Sequence, residues 1–151
     1  MADTSTTAEQ LALVLTQAGM QRMAARVLCG LLYSEQETTT AGELCAQLGA
    51  SAGGVSGALK TLMSLDLVER VPAPGDRRDH YRLRADGWAI MMSSQNRLLD
   101  VMRSSAEEGM AAAGEQSVAG RRLSEMRDFY AYMQRELPAL IDRWHQQRPA
   151  R

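Results

Sequence analysis

Ser51-Ala52-Gly53-Gly54-Val55-Ser56-Gly57-Ala58-Leu59-Lys60-Thr61-Leu62 is the stretch whose reading decides the fold. Val55, Leu59 and Leu62 recur at intervals of four and three, which predicts a helix with one buried stripe. Ser51 is placed to cap it, and Gly53, Gly54, Ser56, Gly57, Lys60 and Thr61 fall largely on the opposite face. Each glycine in a helix costs about 1 kcal/mol relative to alanine. A solvent face is ordinarily filled by Glu, Lys and Gln, so a face of glycine, serine and one lysine suggests a surface kept bare for the close approach of a flat object. Serine hydroxyls and free N-terminal amides suit the groove wall and phosphates of a duplex. The alternative is that these glycines pack against another helix or form a loop.

Upstream, Thr40-Ala41-Gly42-Glu43 has the capping-box pattern, in which threonine and glutamate each satisfy a free backbone donor. A short helix to about Leu48 follows, buried through Leu44, Cys45 and Leu48, and Gly49-Ala50 turns the chain into the bare helix. Helix, brief glycine-bearing turn, helix is the spacing of a helix-turn-helix. Before it, Ala8 to Ala18 reads as a helix through Leu11, Val14, Leu15 and Ala18, ended by Gly19. Met20 to about Tyr33 is the most strongly periodic segment, with Arg22 and Arg26 on its polar flank as phosphate contacts or as a solvated basic face. Ser34 to Thr39 reads as a polar connector.

Downstream the period changes. Leu67 to Val71 and His80 to Arg84 read as two strands around a loop with Gly75 at its turn and Asp76-Arg77-Arg78 near its tip. Two arginines on a projecting loop fit the negative potential of a narrow minor groove. From Asp86 the helical period returns through Trp88, Met91, Met92, Leu98, Leu99 and Met102 as one long arm; Gly109 and Gly114 bracket a break. A last helix from about Ser117 carries Leu123, Met126, Tyr130, Met133 and Leu137 before Pro138 interrupts or restarts it.

The 151 residues support one compact domain, or a small domain plus an oligomerisation arm, and one phenylalanine, four tyrosines and two tryptophans against ten methionines favour helices over sheets. The net charge of −1 gives no whole-chain basic signature, so any nucleic-acid affinity must come from local charge placement. The polar start lacks the layout of a signal peptide and no apolar run approaches a span, so a soluble, cytoplasmic protein without membrane contact is expected. Cys29 and Cys45 read as reduced core residues without zinc spacing. No nucleophile with a paired base and no phosphate loop appears; an enzyme is not expected, nor a metal or other cofactor.

The fold expected is mainly α with a small β-hairpin: a winged helix-turn-helix over 20–85, a helical dimerisation region over 8–19 and 86–147, and flexible tails at 1–7 and 148–151. The trailing helices carry more apolar stripe than a small winged domain can cover. That implies a second copy, joined through Leu11, Val14, Leu123, Met126, Tyr130, Met133 and Leu137, or else a monomeric bundle. A small-molecule effector would find an adaptable lining in Met20, Met23, Trp88, Met91 and Met92, although methionines at helical spacing are more often plain core.

Arg26-Val27-Leu28-Cys29-Gly30-Leu31-Leu32, Ser51-Ala52-Gly53-Gly54-Val55-Ser56 and Leu67-Val68-Glu69-Arg70-Val71, with Asp76-Arg77-Arg78 in the wing, resemble the MarR superfamily of bacterial winged-helix regulators, nearest its GbsR-like branch. The likeness spans nearly the whole chain. It implies a homodimeric, sequence-specific transcriptional regulator on an inverted-repeat operator in double-stranded DNA, with each recognition helix in a major groove and each wing in the adjacent minor groove. By position it implies that Ser51, Gly53, Gly54, Ser56, Gly57 and Lys60 form the major-groove face, that Arg78 enters the minor groove with Arg77 beside it, and that Asp76 braces the loop. Arg22, Thr40 and His80 complete the residues expected at DNA. Branch members often carry a basic residue after the serine that opens the helix, and here that position is Ala52. The rival reading is a winged-helix module that binds protein and no DNA.

Overall fold

The computed structural model describes residues 3–149, which form two compact units, one up to Trp88 and one from Ala89 onward. The first contains α1 (Thr4–Gln17), α2 (Arg22–Leu32), β1 (Thr39–Thr40), α3 (Ala41–Leu48), α4 (Ala52–Ser64), β2 (Val68–Val71) and β3 (His80–Leu83). The chain then passes through α5 (Gly87–Ser94) into the second unit, built from α6 (Asn96–Ala113) and α7 (Val118–Gln147).

The hub of the first unit is α2, whose Ala24, Ala25, Val27, Leu28, Cys29, Gly30 and Leu31 are all buried. The small residues Ala12 and Ala25 let α1 and α2 approach closely beside Cys29, with Leu11, Leu15 and Met20 packed around them. Thus α1, grouped by sequence with the trailing helices, packs on α2. It also starts at Thr4, not Ala8: the Thr7 hydroxyl turns back onto the Asp3 carbonyl, so a polar threonine run enters a helix instead of forming a tail. Of the expected tails, Met1, Ala2, Ala150 and Arg151 lie outside the described residues.

Beneath α2 lie Leu44 from α3 and Val55, Leu59 and Leu62 from α4, each nearly inaccessible. The cap of α3 is the capping box read from sequence: the Thr40 hydroxyl accepts from the Glu43 N–H at 3.2 Å, and the Glu43 carboxylate accepts from the Thr40 N–H at 2.7 Å. Gly49 ends α3 in the left-handed region at φ 59°, which glycine adopts without steric cost. Cys45 and Leu48, expected in the core, are only half-buried because Leu44 takes the inward position.

The hairpin is one part of a three-stranded antiparallel sheet ordered β1-β3-β2. Thr39 pairs with Tyr81 and Thr40 with His80, so the segment expected as a connector supplies an edge strand. Tyr81 points inward. Gly87 opens α5 where a Cβ would stand 3.2 Å from the Leu67 Cα, a close approach to backbone that a side chain would spoil.

In the second unit α6 and α7 run antiparallel: Arg103 donates to Gln134, and Gly109 lies against Leu123. Gly109 therefore sits inside α6 at a helix crossing, not at a break, because Leu123 fills the space a side chain would take. The long arm is divided at Gln95, whose N–H bonds the Met92 carbonyl three residues back, tighter than an α-turn. Pro138 does not interrupt α7, which runs unbroken over 30 residues with the proline inside it. One missing N–H removes one bond of the ladder, and packing of the flanking turns, including buried Leu137, sustains the rest. No helix among the described residues is long and apolar enough to cross a membrane.

Candidate nucleic-acid interface

The solvent face of α4 is built from its cap outward. The Ser51 hydroxyl accepts from the Gly54 N–H at 3.1 Å and still has its own proton to donate. Ser51, Ala52, Gly53, Ser56, Gly57 and Lys60 are all exposed, while Val55, Ala58, Leu59 and Leu62 anchor the helix from behind. A Cβ added at Gly53 or Gly57 would meet no atom within 4 Å. Among the described residues, no other helix packs against either glycine. Gly54 differs: its Cβ would crowd the capping Ser51 hydroxyl at 3.1 Å, and Met23 of α2 lies just beyond. Lys60 makes no ion pair among the described residues, so its charge is free.

The wing is residues 72–79. Gly75 turns it at φ 82°, and the Asp76 N–H closes the turn onto the Ala73 carbonyl. Asp76 then gathers the tip. It accepts from the Arg78 backbone N–H at 2.9 Å, from Arg78 Nη2 at 2.7 Å and Nε at 3.1 Å, and pairs with His80 Nε2 at 2.9 Å. These donors, the Arg78 side chain first, hold its carboxyl far below the usual carboxylate range, and the Asp76 carboxylate in turn raises Arg78. Arg78 nevertheless remains 65% exposed. Its other N–H groups, on Nη1 and the second of Nη2, are available to an acceptor. Arg77 is exposed and makes no ion pair or hydrogen bond among the described residues. Below the tip, Arg70 pairs with Asp79, Arg82 with Glu69 and Arg84 with Asp66, so positive charge is compensated along the strands and concentrated at the turn.

Three expected DNA contacts are placed differently from one another. Thr40 is buried and its hydroxyl serves the α3 cap, which leaves nothing to offer a phosphate. His80 has both ring nitrogens engaged, by Asp76 and by the Thr38 hydroxyl at 3.1 Å. Arg22 is exposed at the start of α2 without an ion pair among the described residues, on the side of α2 that also carries Glu9 and Leu13 of α1. Arg26 is spent on the Glu9 carboxylate at 3.0 Å and the Leu48 carbonyl at 2.9 Å. Thr38 falls in the segment expected only as a connector; it lies 42 residues from its partner and no local pattern marks the bond.

The remaining expectations concern apolar faces. Met20, Met23 and Trp88 belong to the first unit and Met91 and Met92 to the second, with Trp88 and Met92 about half-exposed. On α7, Leu123, Met126, Tyr130, Met133 and Leu137 form a stripe whose first member lies against Gly109 of α6, and all are buried or half-buried within the chain. A second stripe of Val118, Phe129, Tyr132, Leu140 and Trp144 is more than half exposed. In α1, Val14 is exposed beside Leu13, whereas Leu11 is taken up by α2.

A capped, bare-faced second helix of a helix-turn-helix, followed by a hairpin that gathers arginines at its turn, is the architecture of a winged-helix DNA reader. Comparison with known proteins agrees. Residues 18–79 match the model of the MarR family, and residues 86–147 match that of MmpR5-like MarR family transcriptional regulators. The chain is 32% identical over 139 residues to the HTH-type transcriptional regulator MmpR5 of Mycobacterium tuberculosis, covering 91% of this chain and 84% of that one.

The chain belongs to the MarR family of transcriptional regulators. A crystallised transcriptional regulator superposes on this MarR-family chain with a TM-score of 0.82 at 31% identity, over 97% of this chain and all of the other. The matches specify an MmpR5-like model and leave the GbsR-like branch unspecified. A MarR-family regulator acts by binding and is not an enzyme.

Proposed function

We propose that this regulator binds an inverted-repeat operator in double-stranded DNA as a homodimer in the cytoplasm, with α4 in the major groove and the wing tip in the adjacent minor groove. The observation that carries the reading is the unobstructed face of α4, where Gly53 and Gly57 leave open space that nothing inside the protein requires. Lys60 and the amides at the start of α4 would set register on phosphates, and the hydroxyls of Ser51 and Ser56 would meet base edges or backbone. With few side-chain donors on α4, much of the sequence preference would come from groove shape, read by Arg77 and Arg78.

The unpartnered stripe Phe129, Tyr132, Leu140 and Trp144 on α7, and Leu13 and Val14 on α1, support a second copy as the cover, since closed two-fold dimers are the commonest assembly. Two copies would read half-sites roughly 10 bp apart, or a multiple of that. The test is anisotropy binding to duplex taken from upstream of its own gene, over a series of salt concentrations, for wild type and an Arg77→Ala, Arg78→Ala double variant. The expected result is affinity that falls steeply with salt, with a slope about four units shallower in the double variant, since each of the two copies loses both arginines. Equal affinity of both proteins would remove the wing from the account. Failure of wild type to bind any genomic duplex would favour a protein partner instead.

A further inference from the structure

We propose that His80 is a positioning residue for the wing: it orients the Asp76 carboxylate, which in turn presents the Arg78 guanidinium to DNA. The proposal rests on the DNA-binding reading above and assigns His80 a place behind the contact surface.

The geometry excludes direct contact first. The His80 side chain is 15% exposed, and its two nitrogens are held by Asp76 Oδ2 at 2.9 Å and Thr38 Oγ1 at 3.1 Å. The neutral ring with its proton on Nε2 satisfies both bonds: Nε2–H donates to the carboxylate, and the Thr38 hydroxyl donates to Nδ1. No ring N–H is left over for a phosphate.

The same geometry shows what the ring does. Asp76 Oδ2 receives both His80 and Arg78 Nη2, while Oδ1 receives the Arg78 backbone N–H. Arg78 lies two residues from Asp76 on the same exposed loop, so the pair alone would turn together as the loop moves. His80 ties that pair to the sheet. Its strand pairs His80 with Thr40 on one side and Val71 on the other, and Thr38 immediately precedes β1, from which α3 begins. The chain of bonds Thr38, His80, Asp76, Arg78 thus runs from the foot of the helix-turn-helix to the wing tip. Glu43 in the first turn of α3 also interacts electrostatically with both Arg78 and His80. An arginine already held at a fixed angle loses less freedom on entering a groove.

The experiment compares His80→Leu, His80→Gln and Arg78→Ala in the full chain, alone and combined, by anisotropy on operator duplex. The glutamine amide carries an N–H donor at about the reach of Nε2; leucine carries none. His80→Leu is expected to weaken binding about tenfold and to flatten the salt slope by about two units, one for each copy of the dimer, as Arg78→Ala does. His80→Leu combined with Arg78→Ala should bind no worse than Arg78→Ala alone, and His80→Gln should recover most of the loss. Additive losses, or a glutamine variant as weak as the leucine one, overturn the proposal. A second readout needs no DNA: the Arg78 Nε–H resonance in 15N NMR is expected to be slowed in exchange in wild type and His80→Gln and averaged with solvent in His80→Leu. Its persistence in His80→Leu overturns the proposal, whereas its loss in a protein that binds no duplex condemns only the DNA reading. His80→Phe, planar and without donors, takes the place of the leucine variant if the latter does not fold.

Discussion

Replacing Gly57 by alanine should make this protein more stable and a poorer DNA binder, and the opposed signs isolate what the bare face of α4 is for. Gly57 lies in the interior of α4 with no positive φ, and a Cβ there meets no atom within 4 Å. No internal clash offsets the gain in helix propensity, which is about 1 kcal/mol for alanine over glycine. For a chain of this size that raises Tm by roughly 2–4 °C. At a close-packed helix–groove contact the same methyl forces the backbone outward, at a cost of about 1–3 kcal/mol, or roughly fivefold to a hundredfold in Kd. The assay is a thermal melt at fixed protein concentration beside an anisotropy titration on one operator duplex in the same buffer. Gly54→Ala is the control: its Cβ would lie 3.1 Å from the capping Ser51 hydroxyl, which must shift by a few tenths of an ångström, so its Tm should rise less than that of Gly57→Ala. A Gly57→Ala protein with raised Tm and unchanged Kd refutes the argument, because then nothing approaches this face closely. A lowered Tm refutes its premise of open space.

Other consequences follow from single contacts. Asp76 titrates below its unfolded value, so its ion pairing contributes to wing order at pH above about 4 and is lost as pH falls through the lowered folded value. A 15N NMR acid titration should therefore find the Arg78 amide unchanged at pH 4 and shifting only well below it. Burial, and secondarily the Glu9 carboxylate, pushes the Cys29 thiol up, so a thiol reagent should label half-buried Cys45 well before Cys29 when the two are followed by mass spectrometry. A side chain at Gly120 would collide with the Gly114 and Glu115 carbonyls at the turn into α7, so Gly120→Ala should cost about 2–3 kcal/mol in urea unfolding.

What the sequence made legible was carried by local chemistry. The Ser51 cap and the 55, 59, 62 spacing define α4 without reference to any other segment, and Thr40 with Glu43 states the start of α3 outright. The misses are places where a distant segment overrides a local cue. Two threonines are too few to show a strand period, and Thr39-Thr40 becomes one because β3 offers it an open edge. Gly109 and Pro138 are breakers by composition, yet α6 and α7 run through them because each helix is held by the other. Two apolar stripes coexist on α7, and periodicity cannot say which one α6 takes; the structure gives it the Leu123 to Leu137 stripe and leaves Phe129, Tyr132, Leu140 and Trp144 outside.

The wing shows why charge counting alone misjudges such a site. The strand arginines Arg70, Arg82 and Arg84 are each matched by a carboxylate, which is why a chain of net charge −1 can still present a positive point. At the turn the two neighbouring arginines have different circumstances. Arg77 is unpaired among the described residues and costs little to redirect toward a phosphate, but it loses the full freedom of a long side chain on doing so. Arg78 has given up that freedom to Asp76 in advance, yet must share its charge with the carboxylate. On the DNA-binding reading proposed above, both arginines would enter the groove, and the Asp76 pairing would make Arg78 the one that enters at a fixed angle while Arg77 adjusts beside it.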